Sequence, residues 1–272
     1  YRVGGREEDE PVLFVHAVGA GARAFMWRRN FEPLAARFRV FAPDLLGVGY
    51  SDKPPNAPYS ADLYVKLIAD FIRDVIKRPA YVVAHSLGAA FAVRAADEHP
   101  SLVRSLVLVS PTGADGVGAR ADLPGAAFYG LLHSPVLGES FYNAMTSERS
   151  IRDYARKQLF YDKRRATPRL VAHYYSVAHQ PGAQYAVTAF LSGYLNTDIR
   201  LPFARLAQVP TLVWGREDVS NPPARAAELL RLNPRARLEI FDRCRMMPQE
   251  EHPERFNALL AELFAAPTRN AV

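Results

Sequence analysis

Tyr81-Val82-Val83-Ala84-His85-Ser86-Leu87-Gly88 decides the fold. An apolar run ends in a turn of small residues around Ser86, and a helical pattern follows to about Glu98. A strand, a sharp turn and a helix in that order lift one side chain, here Ser86, to the top of a sheet. The small neighbours let the turn close. The amide of Leu87 then stands at a helix N-terminus, where the dipole favours developing negative charge.

Working outward, short apolar runs of the same kind recur at Val12–His16, Arg39–Ala42, Leu106–Ser110, Thr211–Trp214 and Leu238–Phe241. Continuous apolar runs belong to strands buried on both faces of a parallel sheet. Helical patterns alternate with them. The clearest runs from Asp62 to Lys77, with Leu63, Leu67, Ile68, Phe71, Val75 and Ile76 at three- and four-residue steps and Pro79 closing it. The last helix spans Pro253 to about Phe264. This alternation predicts an α/β fold: a mainly parallel, doubly wound sheet with helices on both faces.

From Pro111 to about Pro202 the rhythm changes. Strand runs vanish, and short helical stretches appear at Leu123–Leu132, Glu139–Met145, Glu148–Phe160, Pro168–His179 and Gln184–Leu195. The strand pattern resumes at Val209. The chain divides into a discontinuous core, residues 1–112 and 203–272, and a helical cap inserted at 113–202. The cap is rich in aromatics, most of them needed for its own packing.

The bulk numbers bound the rest. At 272 residues with 49% apolar residues, the chain has length for one large core with an insertion. The net charge of +6 is partly local: residues 149–169 hold eight basic side chains against two acidic ones. With no nucleic-acid motif beside it, that stripe reads as a solvated, ion-paired helix face rather than a nucleic-acid surface. Cys244 is the lone cysteine, so no internal disulfide forms, in keeping with a cytoplasmic location. No apolar run approaches the ~20 residues that span a membrane. No His/Cys/Asp cluster has metal-ligand spacing, and no cofactor motif is present.

Five segments together resemble the α/β-hydrolase superfamily in its capped, single-domain form. They are Val15-His16-Ala17-Val18-Gly19; Asp44-Leu45-Leu46-Gly47-Val48-Gly49-Tyr50-Ser51; the turn at Ala84–Gly88; Pro210-Thr211-Leu212-Val213-Trp214-Gly215-Arg216-Glu217-Asp218; and Met246-Met247-Pro248-Gln249-Glu250-Glu251-His252-Pro253-Glu254-Arg255-Phe256. The resemblance covers nearly the whole chain outside the cap. It implies that Ser86 is the nucleophile, Asp218 the acid that orients a base, and the amides of Val18 and Leu87 the oxyanion donors. An aspartate nucleophile, as in the superfamily's dehalogenases and epoxide hydrolases, is excluded by Ser86. Tyr1–Gly5 resembles the family's second strand, with no first, edge strand before it; the expected states are a monomer or a homodimer paired through that edge.

The last segment departs from the family at its first position. Pro248, Glu251, Pro253 and Phe256 fix its register, and that register puts Met246 where the base histidine belongs and Arg245 where glycine is usual. A thioether takes up no proton at neutral pH, so Met246 neither activates Ser86 nor protonates a leaving group. In a serine protease studied residue by residue, loss of the triad histidine costs about 10⁶ in kcat. A residual ~10³–10⁴ over water survives from oxyanion donors and binding. Of the other histidines, His85 points away from Ser86 as a packed neighbour, and His252 belongs to the last helix. His173 and His179 lie on a cap helix, and His16 is structural in its loop.

Three functional expectations follow. The first is hydrolysis of a carboxylic ester or related acyl compound with an apolar or aromatic body, weakened or lost through Met246. The second is a lyase, cyclase or isomerase that keeps the pocket and dispenses with the acyl-enzyme. The third is a ligand-binding pseudoenzyme or inactivated variant.

Overall fold

The computed structural model describes residues 1–114, 123–132, 134 and 136–265. Seven strands form one sheet: β1 (Arg2–Gly4), β2 (Pro11–Val15), β3 (Arg39–Ala42), β4 (Ala80–His85), β5 (Val103–Val109), β6 (Thr211–Gly215) and β7 (Arg237–Phe241). Their order is β1-β3-β2-β4-β5-β6-β7, and only the β1–β3 pairing is antiparallel. The strands read as continuous apolar runs because both faces are covered: β2, β4 and β6 are buried throughout, whereas the edge strand β1 is largely exposed.

The helices outside the insert are α1 (Phe31–Ala35), α2 (Ala61–Asp70), α3 (Leu87–Glu98), α10 (Ala226–Leu232), α11 (Pro248–Glu251) and α12 (Pro253–Ala265). Ser60 caps α2, its side chain accepting the Leu63 amide. The helix expected over 62–77 is α-helical only to Asp70, and a wider turn carries it through Phe71–Ile76. On one face of the sheet α2, α3 and α10 build the larger core cluster, where Tyr64 stacks on Phe91 at 5.0 Å. On the other, residues of α1 and α12 pack with Trp27 and Phe14, stacked at 4.7 Å. Each such fully buried ring contributes roughly 2–3 kcal/mol by removal of apolar surface from water.

Between β5 and β6 the described residues form six α-helices: α4 (Leu123–Leu132), α5 (Leu137–Met145), α6 (Glu148–Tyr154), α7 (Pro168–Ala178), α8 (Gln184–Leu191) and α9 (Arg200–Ala204). The expected stretch 148–160 divides into α6 and a wide turn, Ala155–Leu159. The opening of the expected cap, residues 115–122, lies outside the described residues. Three of the eight basic side chains of residues 149–169 are ion-paired: Arg152 with Glu148, Lys157 with Asp153, Arg164 with Asp162. Among the described residues no helix is long and apolar enough to cross a membrane.

The order of the strands positions the site. From β2 the chain moves outward to β3, then returns to place β4 on the other side of β2. In an open parallel sheet, ligands bind beyond the carboxyl ends of the strands where the winding reverses. Here those ends lead into the His16–Gly19 loop and into Ser86.

Candidate active site

Ser86 follows β4 with φ 53° and ψ −121°, a left-handed conformation for a residue with a side chain. Such strain persists only where the surroundings enforce it. They do: its amide donates to the Val109 carbonyl at 2.9 Å, and its carbonyl accepts from Ala89 at 3.1 Å as α3 begins. Gly88 makes the close approach possible, since a Cβ there would lie 2.3 Å from the His16 carbonyl oxygen. The start of α3 is thereby pressed against the loop that carries Val18. Both Val18 and Leu87 are buried, and among the described residues no backbone carbonyl accepts from either amide.

His16 builds that loop. Its Nδ1 lies 2.6 Å from the Ala17 carbonyl, and its Nε2 accepts from the Leu45 amide at 2.8 Å, so the proton sits on Nδ1. Burial depresses its pKa, and the ring is neutral. Asp44 shapes the next loop by accepting from the amides of Ala24 and Tyr50, each at 2.8 Å. A Cβ on Gly49 would strike that carboxylate at 2.4 Å.

Asp218 stands in the turn after β6, buried and well held. One carboxylate oxygen accepts from the amides of Ser220 (3.0 Å) and Asn221 (2.9 Å), the other from the Ser110 hydroxyl at 3.0 Å. Asn221 in turn donates to the carbonyls of Ser110 and Pro111. Desolvation still dominates and raises the carboxyl above its ordinary value, with these hydrogen bonds opposing it. Ser110 and Asn221 carry no local signature, since the Ser110–Asp218 and Asn221–Ser110 contacts join positions 108 and 111 apart.

Met246 lies in the loop between β7 and α11, on a backbone fixed from several sides. Its carbonyl is 2.7 Å from His85 Nε2; the Arg245 amide donates to Glu251 at 2.9 Å; and the Cys244 amide donates to Glu217 at 2.9 Å. A Cβ on Gly215 would meet the Arg245 carbonyl at 2.0 Å, so the end of β6 is in close contact with this loop. The side chain is buried, and its Sδ lies 3.9 Å from the Tyr154 hydroxyl of α6. Arg245 reaches across to the Arg156 and Lys157 carbonyls in the insert.

Four further described histidines have contacts of their own. His85 donates from Nε2 to Met246, and its Nδ1 is buried without a partner. Burial lowers its pKa to about 4, against a smaller opposing effect of the Met246 carbonyl. His173 lies against Phe25 with ring centroids 3.8 Å apart, His179 stacks on Tyr175, and His252 is directed at the Arg243 carbonyl. Cys244 is buried, and its thiol pKa is pushed up by burial and by Glu251. Among the described residues no cluster of His, Cys, Asp or Glu could hold a metal.

The neutral His85 carries a pH dependence. Its folded pKa is depressed from 6.5 to about 4. The unfolded chain therefore binds this proton first, and stability is full above 6.5 and falls as pH drops toward 4. Between pH 7 and pH 5 the loss from this ring is about 2 kcal/mol, and His16 adds to it in the same direction. Urea midpoints at the two pH values should differ clearly less for His85→Gln. Equal pH slopes for the two proteins would refute the assignment.

A profile of the alpha/beta hydrolase fold family matches residues 10–253. A 2-hydroxymuconate semialdehyde hydrolase of Pseudomonas sp. strain CF600 is 27% identical over 272 residues, covering 96% of this chain and 89% of its own. Among solved structures, meta-cleavage product hydrolase from Pseudomonas fluorescens IP01 superposes with a TM-score of 0.78 at 26% identity, covering 97% of this chain and 92% of its own. The 2-hydroxy-6-oxo-6-phenylhexa-2,4-dienoate hydrolase of Rhodococcus sp. strain RHA1 gives 0.77 at 25%, covering 97% and 93%.

Proposed function

This chain belongs to the alpha/beta hydrolase fold family, and from that premise we propose that it hydrolyses an acyl compound through Ser86, slowly, for want of an imidazole at position 246. The observation that carries this reading is the strained Ser86 at the head of α3, together with an Asp218 whose carboxylate accepts three hydrogen bonds. A cradle of that kind is suited to orienting and charge-stabilising a neighbouring base. Relatives named for 2-hydroxymuconate semialdehyde and for phenylhexadienoate products support an unsaturated oxo acid as the substrate class, with a simple carboxylic ester as the general probe.

In this reading the Ser86 oxygen adds to the acyl carbon and its proton passes to water. The oxyanion formed is met by the Val18 and Leu87 amides at the dipole of α3. That intermediate collapses to an acyl-Ser86 and expels the leaving group, which takes up a proton from water; a second water then adds to the acyl carbon, gives its proton to solvent, and its collapse frees the acid and restores the Ser86 hydroxyl. Without a base near neutral pKa, both additions are slow, and the donors and binding supply what acceleration remains.

A fluorophosphonate probe tests this directly. The protein should label slowly, and Ser86→Ala should not label at all. Absence of labelling at every time and concentration would overturn the hydrolase reading and leave a cleft that binds without turnover.

A further inference from the structure

The base is missing, yet the place it would occupy has another polar neighbour. Tyr154 ends α6, and its hydroxyl is directed at Met246 Sδ, 3.9 Å away. A thioether is a weak acceptor, so the phenolic proton is not committed to a strong partner. The side chain is also half exposed, at 50%, although its surroundings are dense enough to desolvate the hydroxyl.

The segment after Tyr154 is bolted to the residues that flank the acid and the vacant base position. Arg245 donates to the carbonyls of Arg156 and Lys157. The Ser220 hydroxyl, two residues beyond Asp218, donates to Gln158 at 2.6 Å. Glu251 accepts from the amides of Tyr161 (3.0 Å) and Asp162 (3.2 Å) as well as from that of Arg245. Arg245 and Met246, the two departures from the family pattern, therefore meet the same piece of the insert: one holds it, the other receives its hydroxyl.

We propose that Tyr154 is the ligand-binding hydrogen-bond donor of this cleft, presenting its hydroxyl to a carbonyl, enolate or phenolate oxygen from the side where the family's imidazole would stand. This rests on the Ser86 cleft being the substrate site. Desolvation and the nearby Asp218 carboxylate hold the phenol above its ordinary pKa, so it stays protonated at neutral pH and donates without serving as a base. The ligands favoured are those with an electron-rich oxygen on an apolar body, a choice that a histidine at 246 would not impose in the same way.

p-Nitrophenolate binding tests the proposal without requiring turnover. The protein should bind it with a displaced absorbance band. In Tyr154→Phe the affinity should fall about tenfold or more, as expected for a hydrogen bond to a charged acceptor, and the band should return to its solution position. Ser86→Ala should keep both binding and shift. Tyr154 is half exposed, so the phenylalanine variant removes one oxygen from a wetted side chain; its melting temperature is checked alongside. Equal affinity and equal spectra for the two proteins, or no binding by either, would overturn the proposal. Fluorophosphonate labelling of the same samples separates the two ideas. Tyr154-dependent binding with no labelling defeats the hydrolase reading alone, and labelling without Tyr154-dependent binding defeats this one alone.

Discussion

Replacing Met246 with histidine is expected to raise Ser86-dependent ester turnover about a thousandfold or more. The backbone that would present the new ring is already fixed: the Met246 carbonyl lies 2.7 Å from His85, and the Arg245 amide is held by Glu251. Asp218 is buried and short of positive charge, since desolvation is the largest influence on its carboxyl. An imidazolium forming beside it would gain more than the same ion in water. Ser86 needs no rearrangement, for the strained turn and the α3 amides are present. Arg245 is best left in place because it ties the insert to this loop. The measurement is kcat/KM for a p-nitrophenyl ester, in Met246→His and in the same variant carrying Ser86→Ala, which should return it to background. A folded Met246→His protein with turnover within threefold of the parent would mean that the cleft no longer accepts an acyl group over Ser86.

The fold was legible because its signals are local. Buried strands write themselves as apolar runs, and β3 (Arg39–Ala42) falls where its run predicts. β5 begins earlier than its run, at Val103, because Val103 and Ser105 still pair with Ala80 and Tyr81 of β4, the register shift leaving Arg104 between them. Ladder hydrogen bonding extends a strand beyond the residues that bury it. The site divides the same way. The positions of Ser86, Asp218 and Met246 each follow a strand and could be read in order. What surrounds them could not. Ser110 on Asp218, Tyr154 on Met246 and Glu251 on the insert are contacts between distant positions, with no periodicity to announce them.

Glu250 is another such position, and removing its partner should cost the fold heavily. The carboxylate is 2% exposed and takes both amino groups of Arg28, which lies over the Phe25 ring. Arg165 secures the same loop by donating to the Glu250 and Glu251 carbonyls at 2.9 and 2.8 Å. Breaking a buried pair strands the remaining charge, typically at a cost of about 3–5 kcal/mol. Arg28→Met, which keeps the stem packed on Phe25, should lose about 3 kcal/mol at pH 7 in urea unfolding. The pH dependence has a definite sign. Burial already raises the Glu250 carboxyl above its ordinary 4.5 despite Arg28. Its contribution to stability is therefore full below 4.5 and is lost as pH rises through the folded value. Without Arg28 the folded value climbs further, so the variant's deficit should be small near pH 4.5 and grow toward neutrality. Arg28→Met with Glu250→Leu should recover most of the loss, because no charge is left to desolvate. A deficit that stays constant between pH 4.5 and 7 would show that the guanidinium's stacking on Phe25, not the stranded carboxylate, is what the variant loses.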